Sequence, residues 1–262
     1  MRIYLELAVR SFRQVLTYRG ATLAGLFTNA IFGVIIASTF IGFYGAVDGG
    51  SVRGWSEQQT LTLMWISQSI LMVMFVWGWW KISRTIQTGA IAMDMLKPVN
   101  FIGYWLARDL GRAAAQMIVR FVPTFIIGNL LYNLLAPPSL ANGLAFGMSL
   151  ALGVVVSFGW RFLLNTTSFW LVDHRGINYL ALAAMNILSG LLIPLAFLPD
   201  PILTVVNLLP LRAIVMIPGQ IYLGQIPIAE GLAIQLFWAV VLLLLGSWVL
   251  SRGEKKVVVQ GG

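Results

Sequence analysis

Residues 21–44 read ATLAGLFTNAIFGVIIASTFIGFY, twenty-four consecutive positions without one charged side chain. A helix needs roughly 20 mostly apolar residues to cross the hydrocarbon core of a bilayer, so Ala21–Tyr44 is long enough to span. Arg2, Arg10, Arg13 and Arg19 precede it, and its apolar run is too long for the core of a secretory signal, so it is expected to be retained as a span. Working outward, five more stretches qualify: Leu61–Trp80, Ala113–Leu135, Asn142–Leu164, Ile177–Phe197 and Gly231–Leu250. Together the six occupy half of the chain. The expected fold is all-α: a polytopic membrane protein with six transmembrane helices forming a single domain over residues 1–262. No internal repeat, low-complexity tract or linker interrupts it.

Composition supports the same class. Apolar residues make up 59% of the chain and charged residues only 10%, whereas soluble domains carry about a quarter charged residues. Too few charges are present to cover a water-facing surface of this size, which argues against a soluble enzyme or nucleic-acid binder. Twenty-six glycines and ten tryptophans fit membrane helices and their interfaces. There is no cysteine and one histidine, His174, so disulfides, thiolate metal sites and imidazole clusters are ruled out.

The net charge of +8 follows from topology. Fourteen of the 17 Lys and Arg residues fall in segments on the N-terminal side of the membrane: Arg2, Arg10, Arg13 and Arg19; Lys81, Arg84, Lys97, Arg108 and Arg112; Arg161 and Arg175; Arg252, Lys255 and Lys256. Arg53 and Arg212 lie on the other side, and Arg120 inside the third stretch. By the positive-inside rule both termini are expected in the cytoplasm, and no nucleic-acid partner is needed to explain the charge.

The first nineteen residues predict an amphipathic interfacial helix. Leu5, Ala8, Val9, Phe12, Val15 and Leu16 share one face, and Arg2, Glu6, Arg10, Arg13 and Thr17 the other. Glu6 and Arg10 are spaced for an ion pair. Such a helix can anchor the chain among anionic headgroups, or serve as an elbow whose Arg10, Phe12 and Arg13 touch a cytoplasmic partner. Between Lys81 and Arg112, Ile82, Ile86, Ala90, Met93 and Leu96 recur at three- and four-residue spacing until Pro98 ends the run. Arg84, Asp94 and Lys97 are its polar handles. This short helix either docks onto another protein or rests on the membrane surface.

At this point the sequence resembles a known family. Ile86-x-x-Gly89-x-Ile91-x4-Leu96-x-Pro98 is similar to the first cytoplasmic loop of ABC-2 type ABC transporter permeases. Leu188-Ser189-Gly190-x-x-Ile193-Pro194-Leu195, followed by Pro199, resembles that family's signature at the end of the fifth span, and Ser168-Phe169-Trp170 after the fourth span also fits. With six spans, an interfacial N-terminal helix and a short C-terminal tail, the resemblance covers nearly the whole chain. It points to the compact branch that pairs two permeases with a separate ATPase. The resemblance implies a dimer with a second permease, identical or different, and two copies of an ATPase subunit beneath. It places the coupling helix at Ile86–Pro98, with no cofactor in this chain, and ATP and Mg on the partner. It also implies a bacterial cytoplasmic membrane.

Leu198–Glu230 is apolar but cut by Pro199, Pro201, Pro210, Pro218 and Pro227. It is expected to form short interfacial or re-entrant helices between spans five and six. Arg120 lies about 10 Å into its stretch at 1.5 Å per residue, where it either snorkels, makes a structural pair, or faces a dimer seam or cavity. Arg161, near the end of the fourth stretch, reads as structural. No Asp or Glu falls inside the six stretches, which disfavours a proton-coupled carrier. No phosphate-binding loop, H-E-x-x-H or G-x-S-x-G motif occurs either, so this chain is not expected to be an enzyme, and any ATP must be bound elsewhere. The resulting expectation is the permease subunit of an ATP-driven exporter of an amphiphilic or hydrophobic substrate. An ion-coupled carrier or a non-transporting membrane scaffold is the alternative.

Overall fold

A computed structural model describes the chain apart from Met1 and residues 48–49, 76–79, 172–174 and 257–262, and apart from the side chains of Arg19, Ala21 and Arg175. His174 lies outside the described residues. Helix α1 (Arg2–Thr17) turns at Tyr18 into α2 (Arg19–Gly45). A small hairpin, β1 (Ser51–Val52) antiparallel to β2 (Trp55–Ser56), pairs Val52 with Trp55. Its Arg53-Gly54 turn takes positive φ at both positions, 48° and 81°, the geometry that matches strand twist in two-residue loops. Then come α3 (Glu57–Ile70), α4 (Lys81–Gln87), α5 (Ile91–Met95) and α6 (Phe101–Gln116). A π-helical turn, Met117–Phe121, leads into α7 (Val122–Tyr132). Pro123 has no N–H to give the carbonyl of Val119, and the widened turn before it accommodates its ring. The chain continues with α8 (Leu140–Thr166), α9 (Arg175–Leu188), α10 (Asp200–Asn207), α11 (Met216–Leu223) and α12 (Ile228–Glu254).

Among the described residues four helices are long and apolar enough to cross a membrane: Thr22–Gly45, Phe101–Tyr132, Leu140–Phe169 and Ile228–Glu254. Phe27, Leu130, Leu144, Leu244 and Trp248 project outward from them, exposed. An apolar belt of that extent belongs in lipid.

The other two expected spans are helical but shorter. The second stretch folds as α3, which stops at Ile70 and gives way to turns through Phe75, where φ is +51°; residues 76–79 are among those not described. Fourteen residues rise about 21 Å at 1.5 Å each, less than the roughly 30 Å of a hydrocarbon core. Every residue from Thr60 to Ile70 is buried, so protein, not lipid, surrounds α3, and the polar Thr60, Thr62, Ser67, Gln68 and Ser69 are tolerated there. The fifth stretch gives α9, again 14 residues, ended near Gly190 at φ +85°.

Within 198–230 the proline-cut chain forms the short helices α10 and α11. Helix α10 is amphipathic, and α11 is buried along nearly its whole length against α3, α8 and α12.

Close approach at small residues packs the long helices. Trp65 of α3 is wedged between Gly33 of α2 and Gly128 of α7, where an added Cβ would stand 2.7 and 2.4 Å from its ring. Helices α8 and α12 run parallel, with Gly159 under Leu242 and Gly246 under Phe162. Gln235 of α12, wholly buried, exchanges hydrogen bonds with Ser149 of α8 and donates to the Ala213 carbonyl at 2.8 Å. The main core fills the middle of the bundle. A second, smaller cluster, including Ile82, Ile91, Phe101, Phe162 and Leu250, lies at the end that carries α4, α5 and most of the basic residues.

Candidate functional site

The segment from Lys81 to Asn100 is two helices rather than one. Gly89, at φ +72°, separates α4 from α5. The break divides the apolar periodicity seen in the sequence. Ile82 and Ile91 are buried in the small core, and Ile86 packs against it. Met93 and Leu96 point the other way, 69% and 77% exposed. Arg84 and Pro98 are also exposed. Lys97 pairs with Asp94 and lies 4.9 Å over the Tyr104 ring. The hydrogen bond that Lys97 donates to the Asp94 carboxylate holds its ammonium above the ordinary lysine pKa. The segment is therefore a platform with a fixed inner side and an apolar outer tip.

Its inner side is bolted to α8. The Asn165 side chain accepts from the Ser83 backbone N–H at 2.9 Å, and Ser83 Oγ donates to the Asn165 carbonyl. Asn100 caps α6 by accepting from Gly103 N–H at 2.8 Å, and its own N–H donates to Tyr4 of α1. Helix α1 lies along α6, so close at Gly111 that a Cβ there would meet the Ala8 carbonyl at 2.0 Å.

About two helical turns into α6, a buried ionic cluster ties the pieces together. Arg161 of α8 donates to Asp109 at 2.7 Å, and Arg112 donates to the same carboxylate at 2.8 Å. Arg112 also donates to the carbonyls of Met72 and Val73, and Ser157 donates to that of Met74. These carbonyls lie just beyond the end of α3. Phe75 places its ring under both guanidiniums, 4.8 Å from Arg112 and 5.7 Å from Arg161. The cluster thus stabilises the break that ends α3.

Several sequence expectations land differently. Helix α6 begins at Phe101 rather than Ala113, so Asp109 stands within a long helix after all, its charge already met by two guanidiniums. In α1 the partner of the Glu6 carboxylate is Arg2 rather than Arg10, with Arg2 3.3 Å from Glu6. Arg10 and Arg13 are exposed and Phe12 half-buried. They are remote from the ionic cluster in sequence but share the basic end of the molecule with α5. Arg120 is only 7% exposed, its guanidinium seated in the notch left by Gly25 of α2. Arg120 and Arg161 are not brought together as one polar site: Arg161 belongs to the Asp109 cluster, and Arg120 packs against α2. The residues missed in sequence were Asp109, Arg112 and Asn165. The triplet spacing of Asp109 and Arg112 signals a helical ion pair, but nothing in the sequence points to their partner on α8.

Among the described residues no group of three or more His, Cys, Asp or Glu is arranged to hold a metal ion. In comparison with known protein families, residues 29–261 match the family described as ABC-2 family transporter protein. No curated protein matches the chain.

Proposed function

This chain belongs to the ABC-2 family of transporter proteins, and from that premise we propose that it is the membrane-spanning permease subunit of an ATP-driven exporter. The family is a membrane transporter family whose permeases generally work with an ATPase subunit. In our reading ATP and Mg are bound by two copies of that separate subunit, and this chain pairs with a second permease. All of residues 1–262 form one domain with both termini in the cytoplasm. Helices α3 and α9 complete six crossings, and α10 and α11 lie in the outer leaflet. The translocation path runs between the two permeases. Its apolar and aromatic lining suits an amphiphilic or hydrophobic cargo.

The observation that carries the coupling role is the exposure of Met93 and Leu96 on a platform whose other side is fixed. Apolar tips on a rigid base suit a groove in a partner; Arg84, Asp94 and Lys97 supply a charged rim, and Ile86, Gly89 and Pro98 set the shape. Arg10, Phe12 and Arg13 of α1 offer a second contact at the same end. A push on α5 would reach α8 through Ser83–Asn165, and α6 through Asn100. The Asp109–Arg161 pair would keep α6 and α8 moving together.

Changing both Met93 and Leu96 to Ser tests this reading. Burying one such side chain contributes roughly 1.5–3 kcal/mol, so the ATPase should co-purify about tenfold less well or worse, and substrate-stimulated ATP hydrolysis in liposomes should fall with it. Membrane insertion should persist, because neither residue lies in a long helix. Wild-type co-purification and hydrolysis would move the contact elsewhere, with α1 the next candidate.

A further inference from the structure

A cleft of about 230 Å³ opens between α1, α6 and the start of α4. Ser11 and Gln14 of α1 form one wall, Arg108, Arg112 and Gln116 of α6 another, and Lys81 stands at its edge. We infer that this cleft binds the headgroup of an anionic, hydroxyl-bearing phospholipid such as phosphatidylglycerol, with the phosphate between Lys81 and Arg108. The inference needs only that the chain sits in a membrane and does not depend on the coupling role of α5.

Charge points to an anion. Among the described residues that line the cleft Asp109 is the single carboxylate, and it is held by Arg112 and Arg161. Arg108 donates to the Tyr104 hydroxyl at 2.9 Å and lies over the Tyr104 and Trp105 rings. Among the described residues neither Arg108 nor Lys81 has a carboxylate partner. Burial and the neighbouring Arg108 charge both lower the Lys81 pKa, as expected of two cations left facing one another. A phosphate would relieve that repulsion.

The neutral groups specify more than charge. The Gln116 side-chain oxygen is buried on the cleft wall with no hydrogen-bond partner among the described residues. Such a group costs free energy until a donor arrives. A headgroup hydroxyl is a donor of that kind, and Ser11 and Gln14 can bond further hydroxyls.

Size and surroundings favour a lipid over a larger soluble ligand. Drug-sized ligands take pockets of roughly 300–1,000 Å³, so this cleft admits a headgroup and little else. Tyr18 at its mouth is exposed, as are the apolar Leu23, on the next turns of α2, and Ile118, just beyond Gln116. They offer a path for acyl chains leading away from the cleft. This differs from the diffuse attraction of exposed α1 arginines to a charged surface, because it requires one stoichiometric lipid.

The test is native mass spectrometry of the full chain in detergent, given equal parts phosphatidylglycerol and phosphatidylcholine. The wild type should retain one phosphatidylglycerol in preference to phosphatidylcholine. Lys81→Gln with Arg108→Gln should lower that retention about tenfold or more. Lys81→Arg with Arg108→Lys should keep it, and so should the equal charge loss of Arg252→Gln with Lys255→Gln at the same end of the molecule. Thermal unfolding with inorganic phosphate or glycerol 3-phosphate separates the sources. Stabilisation by the lipid alone supports the inference, and equal stabilisation by a soluble phosphate overturns the lipid assignment. Unchanged retention in the Lys81/Arg108 glutamine variant, or an equal loss in the Arg252/Lys255 variant, overturns the site.

Discussion

Arg161 of α8 and Asp109 of α6 meet at 2.7 Å inside the protein, both almost completely removed from solvent. Desolvating two charges is expensive, and removing one partner of such a pair costs about 3–5 kcal/mol because the other charge is left buried alone. Asp109→Asn should therefore destabilise the purified protein by about that much, read as a lower unfolding temperature in detergent. Combining Asp109→Leu with Arg161→Met should recover part of the loss. An unfolding temperature in Asp109→Asn equal to wild type would remove the pair from any account of how α6 and α8 are held together.

Arg120 and Gly25 form a second interlocked pair. A Cβ at residue 25 would stand 2.1 Å from the guanidinium, and overpacking of this kind costs typically about 1–3 kcal/mol. Gly25→Ala should lower stability, and adding Arg120→Met should suppress that effect. Strictly additive losses in the double variant would mean that the two residues do not share a packing site. Transport by Arg120→Lys reports on function separately: full activity would leave Arg120 with a packing role alone.

Topology can be read on a clean background, since the chain has no cysteine. Ser51 on the hairpin and Ser251 near the end of α12 are both exposed. In intact cells Ser51→Cys should react with an impermeant thiol reagent and Ser251→Cys should not. The reverse pattern would invert the orientation and put α5 on the wrong side for an ATPase.

Lys81 yields a pH prediction with a definite sign. Its pKa is lowered from 10.5, by burial first and Arg108 second. The unfolded chain then holds that proton more tightly than the folded one, so Lys81 costs stability at neutral pH. That cost is relieved as pH rises through the lowered pKa toward 10.5. The amine is also neutral at a lower pH than an ordinary lysine. An acylating reagent should therefore modify Lys81 at a lower pH than Lys255, as peptide mass spectrometry can follow. Equal reactivity profiles would show that neither burial nor Arg108 lowers its pKa.

The sequence carried the class of fold because the requirement for a membrane helix is one-dimensional. A run of apolar side chains near 20 residues long can be counted without knowing any neighbour, and so Ala21–Tyr44 and Gly231–Leu250 were legible as long helices. Met93, Leu96 and Pro98 stand close together in the chain, Leu96 and Pro98 at positions of the family's motif, and the structure leaves all three exposed. What only the tertiary structure decided depends on neighbours. Leu61–Trp80 is apolar enough to span, yet α3 ends at Ile70, and Arg112 and Ser157, distant in sequence, bond the carbonyls of Met72, Val73 and Met74 just beyond it. Asp109 looked like a loop carboxylate until Arg161 was brought against it by the packing of α8 on α6. Hydropathy adds along the chain and can be summed from the sequence. Pairing between buried charges and open carbonyls depends on distances of about 3 Å across separate helices, and folding alone sets those.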